Sequence, residues 1–286
     1  MPAHRVVEAQ GGVMRLRSLL FVPGDRPDRF DKALASGADA LILDLEDSVV
    51  ADRKEAAREA VAAFLGETHA AKIFVRVNPV DSDWHDGDVK VARDADGVVL
   101  PKADGPDGIK RLIGRLGRNI AVLPVATETP RAVFSLGDYA PVASHLCGLT
   151  WGAEDLPAAI GAVSSREDDG SYTDPYRVVR ALALFGAHAA GVAAIETVYP
   201  DFKDADGLAA YAARGNRDGF SGMLAIHPAQ VAAINAAFTP DAAAIAHARA
   251  VVAAFAENPN AGALQLGGRM IDAPHLKAAK ALLARV

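Results

Sequence analysis

Ten charged or titratable residues share one kind of address in this sequence: the point where a short apolar run gives way to polar or Gly/Pro residues. In chain order they are Arg26, Glu46 with Asp47, Arg76, Lys102, Glu128, Glu154 with Asp155, Glu196 and His227, and Asp44 already stands inside its run, "ALILD". Carboxylates held close together raise one another's pKa unless a cation sits between them. With a single cysteine in the chain and few histidines at these positions, such a cation would find oxygen ligands. That donor set suits Mg²⁺ or Mn²⁺, completed by water and substrate. Glu128 and Asp155, at the ends of successive runs, are the natural metal pair. Arg76 lies in "FVRVNP", where burial is costly without an anion, and its fork fits a substrate carboxylate. A divalent ion plus an arginine can hold an α-keto acid and stabilise an enolate. Each residue also has a plainer role open to it. Glu46, Asp47, Glu128, Glu154 and Asp155 could cap helices or begin turns, and His227 could be a packed core histidine.

The elements that would position these groups repeat one pattern: a short apolar run, a polar break, then an Ala-rich helical stretch. The runs are "SLLFVPG", "ALILDLEDS", "KIFVRVNP", "GVVLPKA", "IAVLPVATET", "HLCGLTWGAEDL", "AAIETVYP" and "GMLAIHP". Strands alternating with helices pair in parallel, and eight such units close a (β/α)8 TIM barrel, an α/β fold whose active site lies at the C-terminal strand ends. The first run is not followed by Gly-x-Gly-x-x-Gly, which argues against a dinucleotide-binding sheet. Residues 15–240 are assigned to the barrel, 1–14 to a flexible leader, and 241–286 to a helical lid or oligomerisation extension. That extension has a helix near Asp241–Glu257 and another in "PHLKAAKALLARV".

Composition sets the outer limits. The chain has 286 residues, 51% hydrophobic and 23% charged, with a net charge of −6. No clustered basic surface is evident, so nucleic acid is not expected as a partner. Cys147 alone supports neither a disulfide framework nor a Cys-rich zinc site and is expected to be an inert core thiol. No apolar run is long enough to span a membrane and no secretory signal is visible, so a cytoplasmic protein is expected.

The motifs "RSLLFVPGDRPDRFDKA", "LDLEDSV", "VRVN", "LPKA", "ETPRAV", "WGAEDL", "AIHPAQV" and "MIDAP" together resemble the citrate lyase β-subunit-like family. That family includes malyl-CoA and citramalyl-CoA lyases within the HpcH/HpaI aldolase–citrate lyase superfamily. The resemblance implies a TIM barrel forming homotrimers or hexamers, with Mg²⁺ as cofactor and a coenzyme A thioester as substrate. It assigns Glu128 and Asp155 to the metal, Arg76 to the keto-acid carboxylate, and Glu46 and Asp47 to the support of the metal's water shell or of that arginine. Gly152 becomes a substrate contact, Phe21, Arg26 and Lys32 become coenzyme A contacts, and Pro228 lines the thioester side. Asp272 of "RMIDAP" becomes a general acid/base closing over a neighbouring subunit's site, although it also reads as the N-cap of the last helix.

The expected reaction is cleavage or formation of a C–C bond between an acyl-CoA enolate and glyoxylate or pyruvate. Rival readings are a malyl-CoA-type thioesterase or malate-synthase-like activity, a citrate lyase β subunit acting on an acyl-carrier-protein thioester, and a CoA-independent class II aldolase. The polar segment 161–177, beside Asp155, is a candidate for selecting the acyl group.

Overall fold

The computed structural model describes residues 14–285. The leader expected over 1–14 therefore lies, but for Met14, outside the described residues. These form two compact units, one ending at Asn235 and one beginning at Ala236.

In the first unit, β1 (Ser18–Pro23), β2 (Ala40–Asp44), β3 (Lys72–Arg76), β4 (Gly97–Leu100), β5 (Ala121–Pro124), β6 (Leu149–Thr150), β7 (Ala194–Glu196) and β8 (Gly222–Ala225) make one all-parallel sheet. Its order is β5-β4-β3-β2-β1-β8-β7-β6. Bridges Val122↔Leu146 and Val125↔Thr150 bring the two edges together and close the barrel. The helices between strands are α1 (Phe30–Leu34), α2 (Lys54–Leu65), α3 (His85–Ala92), α4 (Pro106–Leu116) and α5 (Pro130–Phe134). They continue with α6 (Asp155–Ile160), α7 (Asp174–Ala190), α8 (Ala205–Asp218) and α9 (Val231–Ala237).

Side chains alternate along a strand, so one phase of each strand fills the barrel. Leu19, Ala40, Ile42, Phe74, Val99, Leu123, Ile195 and Leu224 pack there as one buried cluster. Gly97 makes room for it, since a Cβ at that position would lie 2.2 Å from the Phe74 ring. The same phase continues to Phe21, Asp44 and Arg76 at the C-terminal ends of β1, β2 and β3.

The second unit adds a hairpin to the two helices expected there. Between α10 (Ala242–Glu257) and α11 (Ala273–Leu283) lies an antiparallel hairpin, β9 (Ala263–Leu266) with β10 (Arg269–Asp272). Its turn, Gly267-Gly268, has φ of 57° and 80°, the left-handed conformation that a tight two-residue hairpin turn demands and glycine tolerates. Ala248, Val251, Ile271 and Ala279 form this unit's core. Among the described residues no helix is long and apolar enough to cross a membrane.

Candidate active site

The inward phase of β2 and β3 delivers an acid and a base to neighbouring positions, Asp44 opposite Arg76 in the ladder. Arg76 Nε and Nη2 each donate to Asp44 at 2.6 Å. Asp44 also accepts the backbone N–H groups of Glu46 (2.9 Å) and Ser48 (3.1 Å), so it holds both the arginine and the loop that follows β2. Burial works to raise the Asp44 pKa, and the Arg76 pair overrides it, leaving the carboxyl below its usual value. Arg76 Nη1 faces Glu46 Oε2 at 3.0 Å, and the guanidinium stacks 4.9 Å above the Phe21 ring centroid.

Lys102 stands at the centre of the acidic rim. Its ammonium is 2.5 Å from Glu46 Oε1, 3.5 Å from Asp155 Oδ1 and 3.7 Å from Asp47 Oδ2. Its own backbone N–H donates to Glu128 Oε2 at 2.5 Å. It is also the one non-glycine residue with positive φ (49°) among the described residues, a conformation that costs energy for a side chain with a Cβ.

Glu128 is buried (4% exposed), and burial, with Glu46 and Asp155 nearby, lifts its carboxyl to about 8. Glu46 is likewise raised, chiefly by burial. The helix-start role open to "TETP" falls to the next residue: Thr129 caps α5 by accepting from Ala132 N–H. Glu128 is placed by its neighbour on the other side. Thr127 Oγ1 donates to Gly152 O at 3.0 Å and accepts from Gly152 N at 2.9 Å, joining the ends of β5 and β6. A Cβ on Gly152 would lie 3.0 Å from Glu128 Cγ, so the glycine lets the two loops approach.

Behind the rim, Lys54 is buried and donates to the carbonyls of Leu45 (2.6 Å) and Glu46 (2.8 Å) and to Asn78 Oδ1 (3.1 Å). Asn78 Nδ2 is shared between Leu45 O and Asp88, and Arg58 completes the Asp88 carboxylate at 2.8 Å. This network fixes the backbone from which Glu46 projects. Desolvation holds the Lys54 pKa below its usual value.

A cavity of about 390 Å³ opens between β1 and β8. Phe21, Arg29, Lys32, His227 and Pro228 line it. Phe202 stacks on His227 with ring centroids 4.8 Å apart. The structure thus gathers the expected Phe21, Lys32 and Pro228 in one pocket. It does not bring Arg26 there: that guanidinium pairs with Asp28 at the surface.

The expected Glu46, Asp47, Arg76, Glu128, Gly152 and Asp155 do come together. Lys102 and Asp44, which the sequence marks by position but without a role, are the hubs. Glu154 is exposed and stands apart as the N-cap residue of α6. Glu196 does not reach the rim. On β7 the inward phase belongs to Ile195, so Glu196 points into the helical layer. There it accepts from Trp151 Nε1 (2.6 Å), Arg180 Nε (2.7 Å) and Tyr211 O–H (3.0 Å). The 161–177 segment folds back on itself, with Arg166 stacked 4.1 Å over Tyr172. In the second unit, Asp272 is the N-cap residue of α11 and pairs with His275 Nδ1 at 2.5 Å, which holds its carboxyl below the usual range. Cys147 packs against the barrel core, where burial pushes its thiol up to about 12.

Could this rim hold a metal? Among the described residues no three His, Cys, Asp or Glu side chains converge into a ready-made cage. Glu128 nevertheless lies within electrostatic reach of Asp155 and Glu46, and the Lys102 ammonium bridges the latter two. An all-oxygen site that is short of positive charge and leaves positions for water and substrate fits a hard divalent ion.

A closed parallel α/β barrel with carboxylates, an arginine and a lysine gathered at its C-terminal strand ends defines an enzyme. The chain belongs to the HpcH/HpaI aldolase/citrate lyase family, whose model matches residues 17–228, and is by class a carbon–carbon lyase. It is 35% identical over 266 residues to a citrate lyase subunit beta-like protein of Mycobacterium tuberculosis, covering 93% of this chain and 94% of that one. It is 31% identical over 282 residues to a (3S)-malyl-CoA thioesterase of Cereibacter sphaeroides, covering 94% of each. Among solved structures, the CitE protein of M. tuberculosis in complex with magnesium, acetoacetate and coenzyme A superposes with a TM-score of 0.79 at 35% identity, over 94% of this chain and 97% of that one.

Proposed function

We propose that this enzyme is a Mg²⁺-dependent CoA-ester lyase, with Mn²⁺ as a substitute ion, that breaks or forms the C–C bond between an acyl-CoA enolate and a short α-keto acid such as glyoxylate or pyruvate. The observation that carries this is the position of Phe21. Its ring lies under the Arg76 guanidinium and also lines the β1–β8 cavity with Arg29, Lys32 and Pro228. A thioester arm in that cavity would therefore end beside the acid–arginine rim. Arg29 and Lys32 suit the phosphates of coenzyme A, which a CoA-independent aldolase would not need.

Glu128 and Asp155 would hold the metal, which when bound polarises the substrate oxygens and offsets developing negative charge. Arg76 orients the keto-acid carboxylate, and Asp44 and Glu46 hold the arginine in place. In the cleaving direction the Asp272 carboxylate of a neighbouring subunit takes the proton of the hydroxyl, whose oxygen becomes the keto oxygen. The C–C bonding pair moves to the α-carbon of the acyl-CoA, and that carbon takes a proton from Asp272 of a neighbouring subunit. The assembly would be a homotrimer or hexamer in the cytoplasm. Its support is an apolar face that α7 leaves exposed at Val178, Leu182 and Phe185.

Hydrolysis is the second reading, favoured by the likeness to a malyl-CoA thioesterase. The test incubates purified enzyme and Mg²⁺ with malyl-, citramalyl- or 3-hydroxy-3-methylglutaryl-CoA, trapping keto acid as its hydrazone and titrating free thiol in parallel. Keto acid without thiol supports the lyase. Thiol without keto acid supports the thioesterase and overturns the lyase. Silence in both channels contradicts both, and points to a carrier-protein thioester.

A further inference from the structure

Lys102 is the feature of the rim that neither a metal ligand nor a substrate clamp explains. Its ammonium contacts Glu46, Asp47 and Asp155 at once, and its backbone N–H is committed to Glu128. The residue adopts a left-handed backbone that glycine would accept more readily, and its side chain is only one-third exposed. Nothing in the local turn requires a lysine there, whereas the three carboxylates that its ammonium meets require a cation. Of the other cations nearby, Arg76 has its Nε–Nη2 edge engaged by Asp44 and its Nη1 on Glu46, and Lys54 is committed to the Leu45 and Glu46 carbonyls and Asn78 behind the rim.

We propose that Lys102 is a built-in counter-cation for the metal site: its ammonium neutralises Glu46 and Asp155 in the metal-free enzyme, must yield Asp155 to an arriving divalent ion, and so sets how weakly that ion binds before substrate arrives. The inference rests on Glu128 and Asp155 being the metal pair. Its physical basis is like-charge repulsion at a few ångströms in a partly desolvated site, where charges interact by several-fold more than in water. A resident ammonium also spares the fold from stacking uncompensated carboxylates when no metal is present.

The test is direct binding of Mn²⁺, without substrate, counted by the loss of the free-ion resonance signal at pH 8.5. Wild type, K102R, K102M and K102G are compared. K102M removes the charge at constant shape. K102G removes it in a backbone that suits φ near 49°, so the Glu128 contact is kept even if K102M folds poorly. We expect both neutral variants to bind Mn²⁺ about tenfold more tightly than wild type, with K102R close to wild type. We also expect saturating Mn²⁺ to raise their melting temperatures by more than it raises that of wild type. Unchanged or weaker binding by the neutral variants, with wild type binding normally, overturns the role of Lys102. Failure of wild type itself to bind Mn²⁺ overturns the metal reading and this inference with it.

Discussion

Asp44 and Arg76 face each other across the β2–β3 ladder and share two hydrogen bonds of 2.6 Å, with Asp44 all but excluded from solvent. The pair converts a buried strand end into a rigid mount for a guanidinium. It also explains how a costly buried arginine is tolerated, because its partner is built in and fully hydrogen-bonded. Replacing Asp44 by asparagine leaves Arg76 short of charge and should destabilise the fold by about 3 kcal/mol at neutral pH. Asp44 has a depressed pKa, so its stabilisation is present above its unfolded pKa and is lost as pH falls through the lower folded value. The gap in melting temperature between wild type and D44N should be widest near pH 7 and narrow below about pH 3.8. A constant gap across that range would show that charge is not what Asp44 contributes.

Arg76→Lys keeps a positive charge but loses the fork and the stack on Phe21. With the Asp44 contact reduced to one point, kcat/KM should fall about 100-fold or more, with most of the loss in the KM for the keto acid in the condensing direction. A variant with wild-type KM would remove Arg76 from carboxylate recognition.

Glu128 carries its own pH signature. With its carboxyl near 8, it is largely protonated at pH 7 in the metal-free enzyme, so a metal ion must displace that proton. Calorimetric titration of Mg²⁺ in two buffers of different ionisation enthalpy should report close to one proton released at pH 7 and almost none above pH 9. E128Q should bind no Mg²⁺ under the same conditions. Proton release that does not vary with pH would contradict the placement of Glu128 beside its acidic neighbours.

Lys54 touches only backbone carbonyls and Asn78, yet those carbonyls belong to Leu45 and Glu46. Lys54→Met should cost about 1–3 kcal/mol of stability through unsatisfied buried acceptors. Because the loop bearing Glu46 would loosen, kcat should fall while Mn²⁺ affinity stays within a few-fold of wild type. Equal losses in turnover and metal binding would mean a general structural role only.

Much of this arrangement is legible in the letters. Eight apolar runs, each ending at Gly, Pro or charge, foretell the barrel and where its chemistry gathers. Glu46, Asp47, Arg76, Glu128 and Asp155 follow from their place at run ends. What stays hidden depends on phase and register. Asp44 reads as an oddity inside a strand until Ala40 and Ile42 are seen to point inward, which carries Asp44 inward opposite Arg76. Glu196 misleads for the same reason, because a three-residue strand offers too little alternation to set its phase, and Ile195 takes the interior. Lys102 in "LPKA" gives no hint of its left-handed backbone, which is seen only in the folded loop after β4, where its N–H meets Glu128. The hairpin in the second unit had a signal, "LQLGGRMI", whose paired glycines between short alternating runs mark a tight turn.

This rim is expected to make and break a carbon–carbon bond. The most direct measurement incubates the enzyme with acetyl-CoA, Mg²⁺ and carbon-13-labelled glyoxylate or pyruvate, following the label by NMR. We expect the keto carbon signal to give way to that of a hydroxyl-bearing carbon bonded to the acyl-CoA. Conversion should be abolished by a chelator, by E128Q and by D272N. If no new carbon–carbon bond forms from either keto acid, or if bond formation survives the chelator, the account of this site is wrong.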